Sequence, residues 1–292
     1  MTKRYIPFLP VFLLLIFASG SYAQTKKILT PAEYSKWQSL GAIELSPNGK
    51  WAAWQLMVQE DNDTLFVKNR VTDSTYKIAF ASAPEFSKDN QWIAYRIGLP
   101  FKEAEKLRDQ SKPIEYKMGL LNLATGKKET IQNINRFEFS KNGKFLAAYL
   151  TTPKDNKDKG AVLLLKNLSD GSTRTIGNVT EYAFNKKADY LAYIVESANT
   201  AGNSAELFNL QNYTLKVLAS DTSKFVKLTW HKEGEAVAFF KTYKKDKYDE
   251  DNAVVYAYSN LYKTPRLQKF DLQAKTKFLQ TVCGFLPHLQ LL

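Results

Sequence analysis

The sequence predicts an all-β fold built from repeated four-stranded units, and two observations lead to that prediction. One phrase recurs along the chain, and each copy has a polar turn between two segments rich in apolar and aromatic residues. Successive copies are 41, 53, 45 and 46 residues apart. A repeat of this length with strand-turn-strand units is typical of the blades of a β-propeller. The anchor residues of the five copies are Ser46, Ser87, Ser140, Asn185 and His231.

The recurring phrase predicts a tight β-hairpin. In the first unit it runs from Glu44 to Trp54 and contains Asn48-Gly49, a pair that tolerates the positive φ of hairpin turns. A Ser or Asn side chain can accept the backbone N–H two residues further on. We therefore interpret all five anchors as structural turn residues. His231 occupies the same place, so the sequence favours a turn role for it over a role as ligand or base.

Two further strand-like segments follow each hairpin. In the first unit they are Thr64 to Lys68 and Thr75 to Ile78, with a turn signal between them. Four strands per unit predict a propeller blade. The apolar run Ala161 to Leu165 predicts a strand that is buried on both faces, between neighbouring blades. The sequence thus predicts about five complete blades and a partial sixth, similar to TolB-type and WD-repeat propellers.

Two insertions and the two ends interrupt this pattern. Residues 101–112 are charged and favour a helix, and 241–252 form a polar stretch. A capping box at Thr30-Pro31-Ala32-Glu33 predicts a short helix within an N-terminal helical segment, 24–40.

We assign 41–282 to the propeller, as a ring that is incomplete in its sixth unit. That last unit is predicted to begin at Arg266 to Leu272. The apolar tail, 283–292, indicates a truncated or aberrant reading frame, with a genuine capping segment as the alternative.

The first 23 residues predict a cleavable signal peptide. Lys3 and Arg4 precede an apolar run of 13 residues, and Ser21-Tyr22-Ala23 predicts cleavage after Ala23. A membrane anchor is the weaker alternative, because a span needs about 20 apolar residues. We therefore expect a protein that is exported to the bacterial periplasm or cell surface and not held in the membrane after cleavage.

Composition argues against several classes of function. The chain has one Cys (Cys283) and two His (His231 and His288), which argues against an intramolecular disulfide and common zinc sites. The formal net charge is +12, but 34 of the 41 basic residues are Lys and they are scattered. Nucleic-acid recognition favours clustered Arg. We expect no metal, no cofactor and no nucleic-acid partner.

The phrases, the segment Tyr34-Ser35-Lys36-Trp37 and the strand Asp63 to Asn69 together resemble the N-terminal propeller of exported bacterial peptidases of the prolyl oligopeptidase family. The resemblance implies that an α/β-hydrolase domain follows and carries a Ser-Asp-His triad, while the propeller filters access to it. This sequence contains no Gly-x-Ser-x-Gly motif, so no catalytic residue is carried over. The expected partners are peptide substrates and the missing hydrolase domain.

Two sets of acidic residues are candidate sites. Some members of the family hold the substrate's amino terminus with paired propeller glutamates, and Glu103 and Glu105 are the nearest analogues here. They could equally be helix-surface charges paired with Lys102 and Lys106. The second set could bind calcium, but its interleaved lysines favour a solvated loop. It comprises Asp246, Asp249, Glu250 and Asp251.

Three functions therefore follow from the sequence. The first is the non-catalytic, substrate-gating part of a serine peptidase. The second is a stand-alone periplasmic propeller that binds a protein or peptide partner. The third, a sugar- or calcium-binding lectin-like propeller, has the least support, because the aromatic residues alternate along strands in the way that core residues do.

Overall fold

The computed structural model describes residues 30, 33, 36–58, 62–152, 160–197, 202–244, 251–262 and 266–272. Within these ranges, nineteen strands and the helix α1 (Phe101–Asp109) follow one another. The strands form five consecutive groups of four, with one long strand counted in two of them, and we call these groups blades 1 to 5. Blade 1 contains β1 (Gln38–Leu45), β2 (Trp51–Val58), β3 (Thr64–Asn69) and β4 (Thr75–Ala79). Blade 2 contains β5 (Ala81–Phe86), β6 (Trp92–Ile97), β7 (Lys117–Asn122) and β8 (Lys128–Ile131).

The remaining blades repeat this order. Blade 3 contains β9 (Ile134–Phe139), β10 (Phe145–Leu150), β11 (Ala161–Asn167) and the first part of β12 (Thr173–Phe184). Blade 4 contains the rest of β12, β13 (Tyr190–Val195), β14 (Ser204–Asn209) and β15 (Leu215–Ser220). Blade 5 contains β16 (Lys224–Trp230), β17 (Val237–Lys244), β18 (Asp251–Ser259) and β19 (Arg266–Leu272). Helix α1 lies between β6 and β7, in the insertion that the sequence predicted to favour a helix.

All paired strands in the blades are antiparallel and follow chain order from the first strand to the fourth. We call the first strand of each blade its inner strand, because it lies nearest the axis of a propeller. Blades 3 and 4 share β12, which pairs with β11 and then with β13, so they form one seven-stranded sheet. Asn178, with φ +55°, marks the change of partner. The predicted all-β propeller of four-stranded blades is confirmed.

Buried serines hold the hairpin at the start of three blades. Ser46 Oγ accepts the N–H of Trp51 at 2.9 Å and donates to Asn48 Oδ1 at 2.8 Å. Ser87 and Ser140 repeat both bonds. The bond that we expected two residues further on is made instead by Asn48, whose Oδ1 accepts the N–H of Lys50 at 3.0 Å. The serine therefore ties the two strands together across the whole turn.

The last two anchors keep the same turn with different side chains, and all five anchors donate their backbone N–H to the carbonyl five residues further on. Asn185 Oδ1 accepts the N–H of Tyr190 at 2.9 Å. At His231 the backbone N–H donates to Ala236 O at 2.8 Å, and Nδ1 lies 3.4 Å from the N–H of Glu233. A bulkier imidazole thus keeps the turn through its main chain.

Apolar cores fill the four interfaces between successive blades. Strand β11 contributes to two of them. Leu163 and Leu165 are buried in the core between blades 3 and 4, while Leu164 packs against the core between blades 2 and 3. Because each fully buried Leu contributes roughly 1.5–3 kcal/mol, these interfaces hold neighbouring blades together. The strand lies between blades on both faces, as the apolar run predicted.

Two predicted boundaries are wrong. Thr30 N–H donates to Glu33 Oε2 at 3.2 Å, but β1 begins at Gln38, so the helical segment does not extend to residue 40. Leu40 instead pairs with Leu56. The segment predicted to begin the last, sixth unit is β19, the fourth strand of blade 5. It was misplaced because much of the supposed polar insertion belongs to β17 and β18, which pair as a hairpin.

A second recurring signal identifies the true register of blade 5. The third strand of blades 2 to 5 ends in an Asn-Leu pair whose Leu N–H bonds the start of the second strand, as with Leu123 to Gln91 O and Leu261 to Glu235 O. In blades 2 and 4 the Asn side chain accepts the next two free N–H groups, forming an Asx turn. The pairs are Asn122-Leu123, Asn167-Leu168, Asn209-Leu210 and Asn260-Leu261.

Several sequence predictions fall outside the described residues. These are the signal peptide, the tail 283–292 with Cys283 and His288, and the acidic residues Asp246, Asp249 and Glu250. In the part of the chain that is described, no helix has the length and apolar character that a membrane span requires.

The inner strand of blade 1 exposes apolar side chains where other blades bury them. Leu45, which precedes the anchor Ser46, is 56% exposed, and Ile43 is 65% exposed. The residues that precede the anchors in blades 2 and 3, Phe86 and Phe139, are 3% and 4% exposed and pack in the cores shared with the preceding blade. We call this exposed surface of Ile43 and Leu45 the blade 1 face.

Candidate functional site

The repeat places a glutamate at one position in three successive inner strands. Glu44, Glu85 and Glu138 each stand two residues before the anchor of their blade, on β1, β5 and β9. Blades 4 and 5 have Ala183 and Thr229 at this position. Since side chains alternate along a strand, the glutamates point away from the residue that packs on the preceding blade. We call these three residues the carboxylate row.

Two members of the row contact the next blade. Glu44 Oε1 accepts the N–H of Phe86 at 3.3 Å, and Glu85 Oε1 accepts the N–H of Phe139 at 3.4 Å. Each carboxylate therefore links its inner strand to the backbone of the next inner strand. Each of these carboxylates can accept further hydrogen bonds, because an ionised carboxylate has about four acceptor positions.

All three glutamates of the row lie in surroundings that disfavour the charged form of a carboxyl group. The pKa of Glu85 is raised to about 7, mainly by burial; the charges of Glu138 and Glu44 contribute to the rise, and the N–H of Phe139 opposes it. Burial likewise raises the pKa of Glu44 and of Glu138, against the lowering effect of nearby lysines. At neutral pH the Glu85 carboxyl is therefore close to half ionised, and a bound cation would favour its charged form.

An arginine and two tyrosines border the row at blade 3. The guanidinium carbon of Arg136, on β9, lies 4.8 Å from the ring centre of Tyr149 and 4.7 Å from that of Tyr182. Burial raises the pKa of Tyr182 to about 12, Arg136 lowers it and Glu138 raises it. Arg136, Tyr182 and Glu138 are thus close enough to affect one another electrostatically. Tyr182 is buried and the Tyr149 hydroxyl donates to Val179 O at 2.7 Å, whereas Arg136 is exposed beside the row.

The arrangement suits binding better than covalent chemistry. Carboxylates and a guanidinium can hold charged or polar parts of a ligand, and the tyrosine hydroxyls stay protonated at neutral pH. In the described residues, no group of three or more His, Cys, Asp or Glu is arranged to hold a metal ion. The ionised carboxylates of the row are chemically able to attract and orient a cationic group.

The structure places Glu103 and Glu105 on α1, away from the buried side of that helix. Both side chains are exposed, whereas Ala104 between them is buried. Their role in substrate binding remains a prediction. Sequence reasoning missed the carboxylate row, although the signal was present, because the same residue type recurs two positions before three anchors.

No family model and no curated protein matches this sequence. Solved structures do match. A prolyl endopeptidase aligns over 85% of this chain and 45% of its own, with a TM-score of 0.44 and 13% identity. TolB from Acinetobacter baumannii aligns over 81% of this chain and 55% of its own, with a TM-score of 0.34 and 9% identity.

The propeller domain of the Trilobed protease from Pyrococcus furiosus aligns over 83% of this chain and 74% of its own, with a TM-score of 0.44 and 13% identity. This chain spans about half the length of the prolyl endopeptidase and of TolB. At such identities the likeness concerns the fold alone, and the strand pairing described above establishes that fold by itself.

Proposed function

We propose that this chain is the non-catalytic propeller part of an exported serine peptidase of the prolyl oligopeptidase type, and that it governs which peptides reach the catalytic domain. The observation that carries this proposal is the carboxylate row on the inner strands. In a propeller these strands line the path along the axis. A row of carboxylates on that path attracts the cationic groups of peptides, namely the terminal ammonium, Lys and Arg.

The blade architecture provides the size filter. An extended peptide can pass between inner strands, whereas a folded domain cannot. Because the pKa of Glu85 is about 7, attraction of cationic peptides increases as pH rises through neutrality and Glu85 becomes fully ionised. In the full-length enzyme, the reaction is acyl transfer from a peptide bond to Ser in the hydrolase domain.

Peptide binding by the purified 292-residue chain tests the role of the row. Fluorescence anisotropy is measured with a labelled extended peptide rich in Lys and Arg. We expect Glu85→Gln and Glu138→Gln to weaken binding, and the matched change Glu103→Gln, on exposed α1, to leave it unaltered. If Glu103→Gln weakens binding and the row variants do not, the site lies on α1 and the row has no binding role.

A peptidase assay tests the non-catalytic part of the proposal. The purified chain should show no turnover of peptide substrates. Turnover that persists after controls for contaminating proteases would contradict the proposal.

A second candidate function is a stand-alone periplasmic propeller that binds a protein partner. The blade 1 face favours it, because Ile43 and Leu45 are exposed, whereas the equivalents of Leu45 in blades 2 and 3 are buried. The DNA downstream of codon 292 separates the two functions. A frame that encodes a hydrolase domain with a Gly-x-Ser-x-Gly motif supports the peptidase, and an intergenic stop supports the stand-alone propeller.

A further inference from the structure

A pocket of about 360 Å³ lies beneath α1, where blades 1 and 2 meet. This volume is at the lower end of the range for pockets that hold small molecules. Most of its wall is apolar and comes from four separate segments of the chain. Prominent among these residues are Met57, Phe80, Phe101, Ile114 and Tyr116. None of them belongs to the carboxylate row, so this is a separate site.

Hydrogen bonds hold the pocket wall in place. Gln55, only 8% exposed, donates from Nε2 to Asp63 Oδ2 at 2.8 Å. Asp63 Oδ1 accepts the N–H of Val58 at 3.2 Å, and its backbone oxygen accepts the N–H of Phe80 at 2.8 Å. Phe80 adopts φ +60°, a conformation that is rare for a bulky residue. The wall is therefore preformed around a residue held in a strained conformation.

The helix above the pocket is tied to the same wall. Asn62 Oδ1 accepts the N–H of Phe101 at 2.8 Å, at the first residue of α1. Phe101, Ala104 and Arg108 follow at helical spacing and all line the pocket. The exposed Glu103 and Glu105 do not contribute to its lining. The insertion that the sequence marked as unusual thus forms the roof of a pocket, through different residues.

The two charged residues that line the pocket, Asp63 and Arg108, differ in the interactions that their side chains already make. Each carboxylate oxygen of Asp63 already accepts a protein N–H, from Gln55 and Val58. Arg108 makes no ion pair with the carboxylates of any described residue. A guanidinium offers five N–H donors in a planar fork that matches a carboxylate. Arg108, which is exposed at the mouth of the pocket, is therefore its charged group with unused hydrogen-bond donors.

We infer that the pocket binds a small apolar carboxylate. Its apolar part contacts Phe80, Phe101 and the neighbouring apolar wall, and its carboxylate binds the guanidinium of Arg108. A cation is less suited because both oxygens of Asp63 already hold the wall through Gln55 and Val58, and a phosphate is less suited because it has no apolar part to bury. The carboxyl terminus of a peptide that ends in an apolar residue and a free monocarboxylic acid share this chemistry.

Calorimetric titration of the purified chain tests the inference with defined probes. The probes are N-acetyl-leucine, its amide N-acetyl-leucinamide, and octanoate. We expect the acid to bind and the amide to bind at least about tenfold more weakly, because the charge-assisted hydrogen bonds are lost. Tighter binding of N-acetyl-leucine than of octanoate identifies a peptide terminus as the source, and the reverse order identifies a free acid.

Three variants locate the binding site. Arg108→Gln should weaken binding of the acid at least about tenfold, whereas Lys102→Gln, on the same helix but outside the pocket lining, should not change it. Ala104→Leu, which fills the pocket from its roof, should abolish binding. Thermal unfolding of each variant verifies that it is folded.

Three results would overturn the inference. The first is equal affinity for the acid and the amide. The second is an equal loss of affinity in Arg108→Gln and Lys102→Gln. The third is the absence of heat with any probe at 10 mM, since a Kd of about 10 mM is the weakest that such a pocket should show. None of these results bears on the carboxylate row, since the row and the pocket have no residue in common.

Discussion

Replacement of Glu85 by Gln should make the protein more stable at pH 8 and leave it almost unchanged at pH 5. The Gln side chain keeps an oxygen that can accept the N–H of Phe139, so the link between blades 2 and 3 is retained. It removes only the ionisable group. The variant therefore isolates the cost of burying a charge at this position, to which repulsion by Glu138 and Glu44 adds.

The magnitude follows from the pKa of Glu85, which burial raises from 4.5 to about 7. The folded protein binds this proton more tightly than the unfolded chain, so stability falls as pH rises between these two values. One pKa unit corresponds to 1.36 kcal/mol, which sets an upper limit of about 3.4 kcal/mol for the full shift. Because Glu85 is only partly buried, solvent screening reduces this to roughly 2 kcal/mol.

Thermal unfolding by circular dichroism at pH 5, 6, 7 and 8 measures the effect. For a domain of this size, roughly 2 kcal/mol corresponds to a Tm about 4–8 °C higher for Glu85→Gln at pH 8. Glu103→Gln makes the same chemical change on the exposed surface of α1 and should show the wild-type pH profile. If Glu85→Gln also follows the wild-type profile, the carboxylate row carries no electrostatic strain and our reasoning is wrong.

Three further predictions concern the blades themselves. Ser87→Ala removes the buried hydroxyl that accepts the N–H of Trp92 and should lower the free energy of unfolding by about 1–3 kcal/mol in urea titration; no loss would show that the anchor is dispensable. Leu163→Ala empties a fully buried position between blades 3 and 4 and should cost about 2–5 kcal/mol in the same titration, with a smaller loss indicating that the interface collapses to fill the space. Gly143→Ala should destabilise more than Gly171→Ala by differential scanning calorimetry. Both residues have positive φ, but an added Cβ at Gly143 lies 2.7 Å from a backbone nitrogen of the neighbouring blade, whereas at Gly171 it meets open space. Equal losses would mean that φ alone sets the cost.

Much of the fold was readable from the sequence because each blade repeats the same local chemistry. Ser46 and its equivalents marked the first hairpin of every blade, since a turn residue acts within five positions of itself in the chain. The error in blade 5 had the same local origin. The ends of β17 and β18 next to residues 245–250 are polar and so resemble an insertion. The Asn260-Leu261 pair indicates the register of these strands, and it was overlooked.

The candidate sites were less predictable, because their residues converge from distant parts of the chain. The sequence pointed to α1 and to Glu103 and Glu105 on it. For the pocket, packing selects a different residue of α1, because the exposed Arg108 lines it and the two glutamates do not. The raised pKa of Glu85 likewise depends on Glu44 and Glu138, which lie 41 and 53 residues away in the chain.

The sequence by itself determined the all-β class, the four-stranded unit and the position of the first hairpin in each blade, because these depend on turn chemistry and on apolar alternation within a few residues. Only the tertiary structure decided which side chains meet between blades. It brought Glu44, Glu85 and Glu138 into one row and roofed a pocket with α1. The physical reason is that burial and charge interaction depend on distance in space, which the stacking of blades sets and the local sequence does not encode.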